Sequence, residues 1–173
     1  VTVLLLLLLS FDGINKNMVN KKGISYPDVF NLTTGDKIWI ESTLNEMTLE
    51  EKCAQMIFPD ANSNMFKNDT AGRSRLEYLV KELKVGGIVF FEGDIYNQAA
   101  FTNHLQLLAD IPLLIASDFE RGLGMRLKDA VEYPYNMAIA ATRDTNLAYL
   151  MGLYTAKEGR AIGVHQNYAP VVD

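Results

Sequence analysis

The residues best suited to chemistry lie at the ends of two short apolar runs. Residues 112–118 read PLLIASD and residues 165–173 read HQNYAPVVD, so the runs end on the carboxylates of Asp118 and Asp173. A loop follows Asp118 in which charge and glycine concentrate: Phe119, Glu120, Arg121, Gly122, Leu123, Gly124, Met125 and Arg126. An ionised carboxylate only accepts hydrogen bonds and a guanidinium only donates them. Together they suit a neutral ligand rich in hydroxyls, which donate, and ring oxygens, which accept, and bonds to charged groups are the stronger kind. Strand-end carboxylates of this kind face the pocket of an α/β barrel, whereas residues on the opposite rim serve stability. Glu158 has a different reading. It falls on the buried side of a predicted helix, where a carboxylate must be paired or hydrogen-bonded, so its expected role is structural.

Other chemistries find less support in the residues. Gly122-Leu123-Gly124 after a strand is a lone G-x-G without the third glycine of a dinucleotide loop, which makes an α/β nucleotide-binding domain the weaker alternative. Gly86-Gly87 precedes its strand and so cannot cradle a phosphate at a helix start. No His, Asp and Glu cluster has metal-ligand spacing, and neither a metal nor a cofactor is expected. Cys53 is the one cysteine, which rules out an internal disulfide and a cysteine cluster. It falls on the apolar side of a predicted helix, where a free thiol acts as a small hydrophobe. The formal net charge of −5 and the scarcity of basic runs argue against a nucleic-acid partner. A neutral carbohydrate is compatible with this balance. A sugar-binding or structural half-barrel without activity is the non-enzymatic alternative.

These residues need elements to hold them. At 49% hydrophobic and 21% charged, the chain has a globular composition. Thr48-Leu49-Glu50-Glu51 forms a capping box, and the helix after it places Leu49, Cys53, Met56 and Ile57 on one side before Pro59 stops it. A short first strand is expected within residues 54–58, and residues 60–72 read as a polar loop. Leu76, Leu79, Val80 and Leu83 have the spacing of a buried helix stripe. Gly86-Gly87 then turns into IVFF at 88–91, an unbroken run expected to be covered on both faces. A second helix turns Ile95, Phe101, Leu105 and Leu108 inward, and Pro112 opens the next strand. A third helix, Thr145–Ile162 with Asp144 as N-cap, places Leu147, Leu150, Met151, Tyr154 and Ala161 on one face. Gly163 closes it, and a strand runs on to Val172. Strands alternating with helices through short connections predict a parallel sheet, with strands near 54–58, 87–92, 112–118 and 165–172.

A complete (β/α)₈ barrel takes roughly 250 residues. The 173 residues therefore read as the first half of a TIM-type α/β barrel, ending after about the fourth strand. Residues 1–36 read as a leader and 37–173 as the partial barrel domain. VTVLLLLLLS is too short to span a bilayer but has the length of a secretory-signal h-region, which predicts export to the periplasm or the extracellular space. Residues 11–36 read as a mobile continuation of that leader. Nothing in the sequence specifies an oligomeric state.

The chain resembles the amino-terminal half of the family 3 glycoside hydrolases in a collinear set of landmarks. They are MTLEEK at 47–52, GGIVFF at 86–91, PLLIASD at 112–118, E-x-G-x-G-M-R-L at 120–127, YPYNMAIAAT at 133–142 and NYAPVVD at 167–173. The resemblance implies a barrel enzyme that hydrolyses terminal β-linked sugars with retention, with β-N-acetylglucosaminides favoured and β-glucosides next. It implies that Asp118 grips hydroxyls of the terminal sugar, with Glu120 and Arg126 as further substrate contacts. Asp173 matches a residue that organises the loop after its strand. Arg121 stands where the family often has glycine or an aromatic residue. The resemblance assigns no catalytic residue here: the family's nucleophile and acid/base are expected after Asp173, and neither His104 nor His165 matches them.

Overall fold

The computed structural model describes residues 32–171. The leucine run and Asp173 lie outside the described residues. The chain divides into two compact units, up to Lys52 and from Cys53 onward.

The described residues of the first unit, 32–52, are mainly helical. Helix α1 (Thr34–Glu46) starts inside the stretch read as leader, because Thr33 and Asp36 form a capping box. The Asp36 carboxylate accepts from the Thr33 amide at 2.8 Å, and the Thr33 hydroxyl accepts from the Asp36 amide at 3.2 Å. The second capping box forms as expected: the Glu51 amide donates to Thr48 Oγ1 and the Thr48 amide to Glu51 Oε2. The helix it starts, α2 (Leu49–Ala54), is shorter than the sequence pattern suggests. Leu49, Met56 and Ile57 are exposed, and so is Cys53. The expected inward stripe is therefore absent. The helix ends at Ala54, so Met56 and Ile57 fall in a turn and off the helical period.

The second unit is a parallel sheet with helices packed on it. Strand β1 (Asp60–Asn62) and strand β2 (Gly87–Asp94) pair in parallel, with a register shift between Ala61 and Asn62. Helices α3 (Met65–Asn68) and α4 (Thr70–Lys81) connect them. The first strand thus lies at 60–62 rather than within 54–58, and the expected loop at 60–72 holds a strand and two helix starts. Helix α5 (Ile95–Leu108) follows β2 and leads to strand β3 (Leu114–Ser117), which is parallel to β2. A 3-10 turn (Leu123–Met125) precedes strand β4 (Leu127–Lys128), which returns to pair with Gly93 and Asp94 of β2. Helices α6 (Asn136–Ala141) and α7 (Thr145–Ala161) lead to strand β5 (Gln166–Asn167), parallel to β3. The order is β1-β2-β3-β5, with β4 on β2.

The core lies between the sheet and its helices. Ile88, Phe90 and Ile115 from the strands join Leu76 and Val80 of α4 and Phe101 and Leu105 of α5. Side chains alternate along a strand, so Val89, Phe91, Ala116 and Asp118 share the other face. That face is not fully covered, since Phe91 is 39% exposed. Helix α7 also turns differently from its hydrophobic pattern. Thr155 and Gly159 are its buried residues, while Leu147, Tyr154 and Ala161 are exposed. The inward face is the one that carries Thr155 and Gly159, and a Cβ at Gly159 would sit in ordinary van der Waals contact with Phe119 and Val164, 3.8 Å from each.

Candidate functional site

Asp118 follows the last residue of β3, on the face away from the helices. Its side chain is 22% exposed. Carboxylate oxygen Oδ2 pairs with Arg126 Nη2, and Arg126 Nε donates to the Asp118 main-chain carbonyl at 3.2 Å. The guanidinium carbon of Arg126 lies 5.3 Å from the centroid of the Phe91 ring. Oδ1 of Asp118 is buried and has no hydrogen-bond partner among the described residues. A buried carboxylate oxygen without a donor is costly, so Arg126 satisfies this carboxylate only in part.

Backbone contacts hold the loop in place. The Phe119 amide donates to Asn167 Oδ1 at 2.8 Å, and Asn167 Nδ2 donates back to the Phe119 carbonyl at 3.4 Å. Gly122 has φ +79°, and a Cβ there would lie 2.6 Å from the Tyr133 ring. Only glycine fits a left-handed conformation that tight. The Tyr133 amide donates to the Arg121 carbonyl and the Gly124 amide to the Val131 carbonyl, both at 2.8 Å. The loop and the segment 131–133 therefore form one layer.

Of the residues singled out in the sequence, Asp118 and Arg126 are brought together. Glu120 lies in the same loop, half-buried, with an isolated bridge to Gly122. Arg121 is engaged elsewhere, paired with Glu132 and with its guanidinium carbon 4.1 Å from the centroid of the Tyr135 ring. Glu158 corrects its expectation. It is half-buried as expected, yet Oε2 is buried with no hydrogen-bond partner among the described residues. Its charge acts instead on Tyr133, whose hydroxyl is pushed above its ordinary pKa first by burial, then by Glu158 and Tyr154. His165 stands before β5 and accepts from the Ile115 amide through Nδ1 at 3.0 Å, a structural use. His104 bonds Glu77, and Arg73 shares the same Glu77 oxygen, joining α4 to α5. No group of three or more His, Cys, Asp or Glu among the described residues could hold a metal.

Two residues at the site had no role in the sequence reading. Phe91 belongs to a run that the sequence pattern reads as covered, although strand alternation from Val89 puts it on the same face as Asp118. Asn167 stood inside the NYAPVVD landmark without a role, because a side-chain bond across 48 residues leaves no local signal.

The fold and site define an α/β protein with parallel strands and its polar groups at the strands' carboxyl ends. The chain belongs to glycosyl hydrolase family 3, and residues 48–173 match the family described as "Glycosyl hydrolase family 3 N terminal domain". The sheet is part of that domain's (β/α)₈ barrel. The chain is 31% identical over 144 residues to a β-N-acetylglucosaminidase/β-glucosidase of Cellulomonas fimi, covering 83% of this chain and 24% of that protein. It is 32% identical over 115 residues to β-hexosaminidase A of Pseudoalteromonas piscicida, covering 57% of this chain and 19% of that protein. Among solved structures it is similar to the β-glucoside phosphorylase BglX bound to 2FGlc. The TM-score there is 0.74 at 28% identity, covering 84% of this chain and 25% of the other. The chain thus spans 24% and 19% of the length of these curated relatives.

Proposed function

We propose that the chain is the amino-terminal part of an exo-acting β-glycosidase that removes terminal β-linked sugars with retention, β-N-acetylglucosaminides first and β-glucosides next. The observation that carries this reading is Asp118: a carboxylate at a strand's carboxyl end, fixed by Arg126 and partly exposed on the face that carries Phe91. A carboxylate in that state takes the hydroxyls of a terminal sugar, at about 1.5–3 kcal/mol for each charged hydrogen bond. The names of the two curated relatives support the order of substrates.

In a retaining scheme one carboxylate attacks the anomeric carbon to form a glycosyl-enzyme, which water then hydrolyses. Asp118 has a different part in this scheme. It holds the non-reducing sugar while groups outside residues 32–171 supply the nucleophile and the acid/base.

The test is turnover by the full-length enzyme on aryl β-N-acetylglucosaminide and aryl β-glucoside, with the first product anomer read by NMR. Faster release from the N-acetylglucosaminide, with β-anomer formed first, is expected. An inverted product, or turnover that needs inorganic phosphate and yields a sugar 1-phosphate, overturns the proposal.

A further inference from the structure

The register shift between β1 and β2 sits at the carboxyl ends of both strands. Ala61 pairs with Phe90 but Asn62 pairs with Glu92, so β2 carries one extra residue, Phe91, at this point. An extra residue of this kind bends a strand and re-aims the side chains beside it. Here it breaks the alternation: Phe91 and Glu92 are both exposed, between a buried Phe90 and a buried Gly93. Asn62 follows the core residue Ala61 and so faces away from the core, and its Nδ2 donates to Glu92 Oε2 at 3.3 Å across the strands. Glu92 therefore joins Phe91 on the face that carries Asp118. We propose that Glu92 is a second sugar-binding carboxylate, set on that face by the bulge in β2, and that it accepts a hydroxyl of the terminal sugar that Asp118 does not take. This inference rests on the reading of Asp118 given above and extends it to specificity.

The strand end is built to hold the bulge. The Ser63 amide donates to the Glu92 carbonyl at 2.8 Å, which fixes the backbone of Glu92 itself. Ser63 is fully buried, and its hydroxyl accepts from the Asp94 amide at 3.0 Å and donates to the Asp94 carbonyl at 3.3 Å. Between those anchors Gly93 has φ +137°, and a Cβ there would lie 1.6 Å from Ser63 Oγ, so only glycine lets the chain pass. Asn62 is oriented in its turn, because its Oδ1 accepts from the Asn64 amide at 2.9 Å and Nδ2 is left for Glu92.

The position of Glu92 agrees with this role. Phe90 is level with Ser117 in the pairing of β2 with β3, so Glu92 stands one strand over and one residue beyond the level of Asp118. Neighbouring strands lie about 4.8 Å apart and rise about 3.3 Å per residue, which puts the two backbones on the order of 6 Å from each other. Side chains rooted that close reach different hydroxyls of one pyranose ring. Glu92 is exposed, and its one described hydrogen bond uses a small part of what a carboxylate can accept. Arg126, over the Phe91 ring next to it, offsets the repulsion between two carboxylates on one face.

A contact to one hydroxyl disappears when that hydroxyl is removed from the substrate, which makes a cycle between variants and deoxy sugars the direct test. In the full-length enzyme, kcat/KM and melting temperature are measured for Glu92→Ala, Glu92→Gln, Asn62→Ala and Asp118→Ala. The substrates are an aryl β-glycoside and its monodeoxy analogues, each lacking one hydroxyl of the terminal sugar. Glu92→Ala is expected to lower kcat/KM on the parent sugar about 10–100-fold, the scale of one charged hydrogen bond, with little change in melting temperature. Glu92→Gln, which keeps an acceptor without the charge, should recover part of that loss, and Asn62→Ala should lose less than Glu92→Ala. On one deoxy analogue the loss from Glu92→Ala should shrink below about threefold, while Asp118→Ala still lowers kcat/KM there.

A Glu92→Ala enzyme within about twofold of wild type on the parent sugar would overturn the proposal. So would an equal loss on every analogue, which belongs to a residue that shapes the strand end without touching sugar. Losses from Glu92→Ala and Asp118→Ala that vanish on the same analogue would give both carboxylates one hydroxyl and overturn it as well. If Glu92→Ala does not fold, the isosteric Glu92→Gln reads the same dependence. Near-normal activity of Asp118→Ala would remove Asp118 from the site, and that failure of the functional reading is seen in a single variant, apart from any result at Glu92.

Discussion

Asp118 and Glu158 are both half-buried carboxylates, and the contrast between them shows what distinguishes a site residue. Asp118 has a guanidinium partner on one oxygen and lies on the face that carries Phe91, while its other oxygen is buried without a partner among the described residues. Glu158 has a buried Oε2 with no partner and acts on the Tyr133 hydroxyl. An amide at 158 removes that charge and adds a donor. Glu158→Gln is therefore expected to leave the melting temperature unchanged or raise it, and to bring Tyr133 ionisation down towards its ordinary value. Ultraviolet titration of the phenolate and a thermal melt check both. A fall in Tm of more than roughly 4 °C, about 1 kcal/mol for a domain of this size, would reveal a pairing that Glu158 does make. Asp118 and Arg126 were legible in the sequence because a carboxylate ending an apolar run and a charged glycine loop are both local signals. Phe91 was not, because IVFF shows a continuous run and only the paired strands reveal which face is left open.

The elements with long apolar patterns were the ones the sequence placed well. Helices α4 and α5 bury Leu76, Val80, Phe101 and Leu105 as their spacing predicts, although Leu83 falls past the end of α4 at Lys81 and is exposed, and β2 and β3 pair in parallel. Strand β1 escaped because Asp60-Ala61-Asn62 has no apolar run, and its register on β2 alone makes it a strand. Strand β5 is shorter than its residues suggest for the opposite reason. The apolar residues are present, but described pairing with β3 covers only Gln166 and Asn167. Just before it, His165 accepts the Ile115 amide through Nδ1, which requires that nitrogen to be unprotonated. Burial first, and then Arg160, hold the His165 pKa below its ordinary value. A histidine held neutral by the fold binds a proton more readily when unfolded, so its contribution is present above pH about 6.5 and is lost as pH falls below it. Melting temperature is expected to drop as pH goes from 7 to 5, and His165→Leu should lose that part of the slope. An unchanged slope in the variant would assign it to other groups.

At the scale of the molecule, a cleft of about 600 Å³ opens beside α6, α7 and β5, lined by Phe119, Ile139, Met151, Thr155, Val164 and Asn167. Tyr135, Met137, Tyr149, Tyr154 and Tyr168 are all exposed. On the proposal that further strands of the barrel cover this side and carry the reacting groups, the 173-residue chain alone turns over neither aryl substrate. It also binds apolar dyes, as large exposed apolar patches do. A protein-dependent rate that survives rigorous purification would place the reaction centre within these 173 residues. Among the described residues no helix is long and apolar enough to cross a membrane.

The paired bonds between the Asn167 carboxamide and the main-chain N–H and C=O of Phe119 carry a consequence for how the sheet finds its register. A carboxamide has the same donor and acceptor as a peptide group, so Asn167 extends the ladder by one rung with a side chain. A strand of two residues has little backbone with which to specify its address, and a slip of one position would turn every side chain to the wrong face. The address is written in a side chain instead, and its neighbours cannot forge it. Tyr168 lacks the amide pair, and Gln166 carries it one methylene further out. The last described strand therefore has one place where the two halves of its signature match, and that place fixes where the site loop begins.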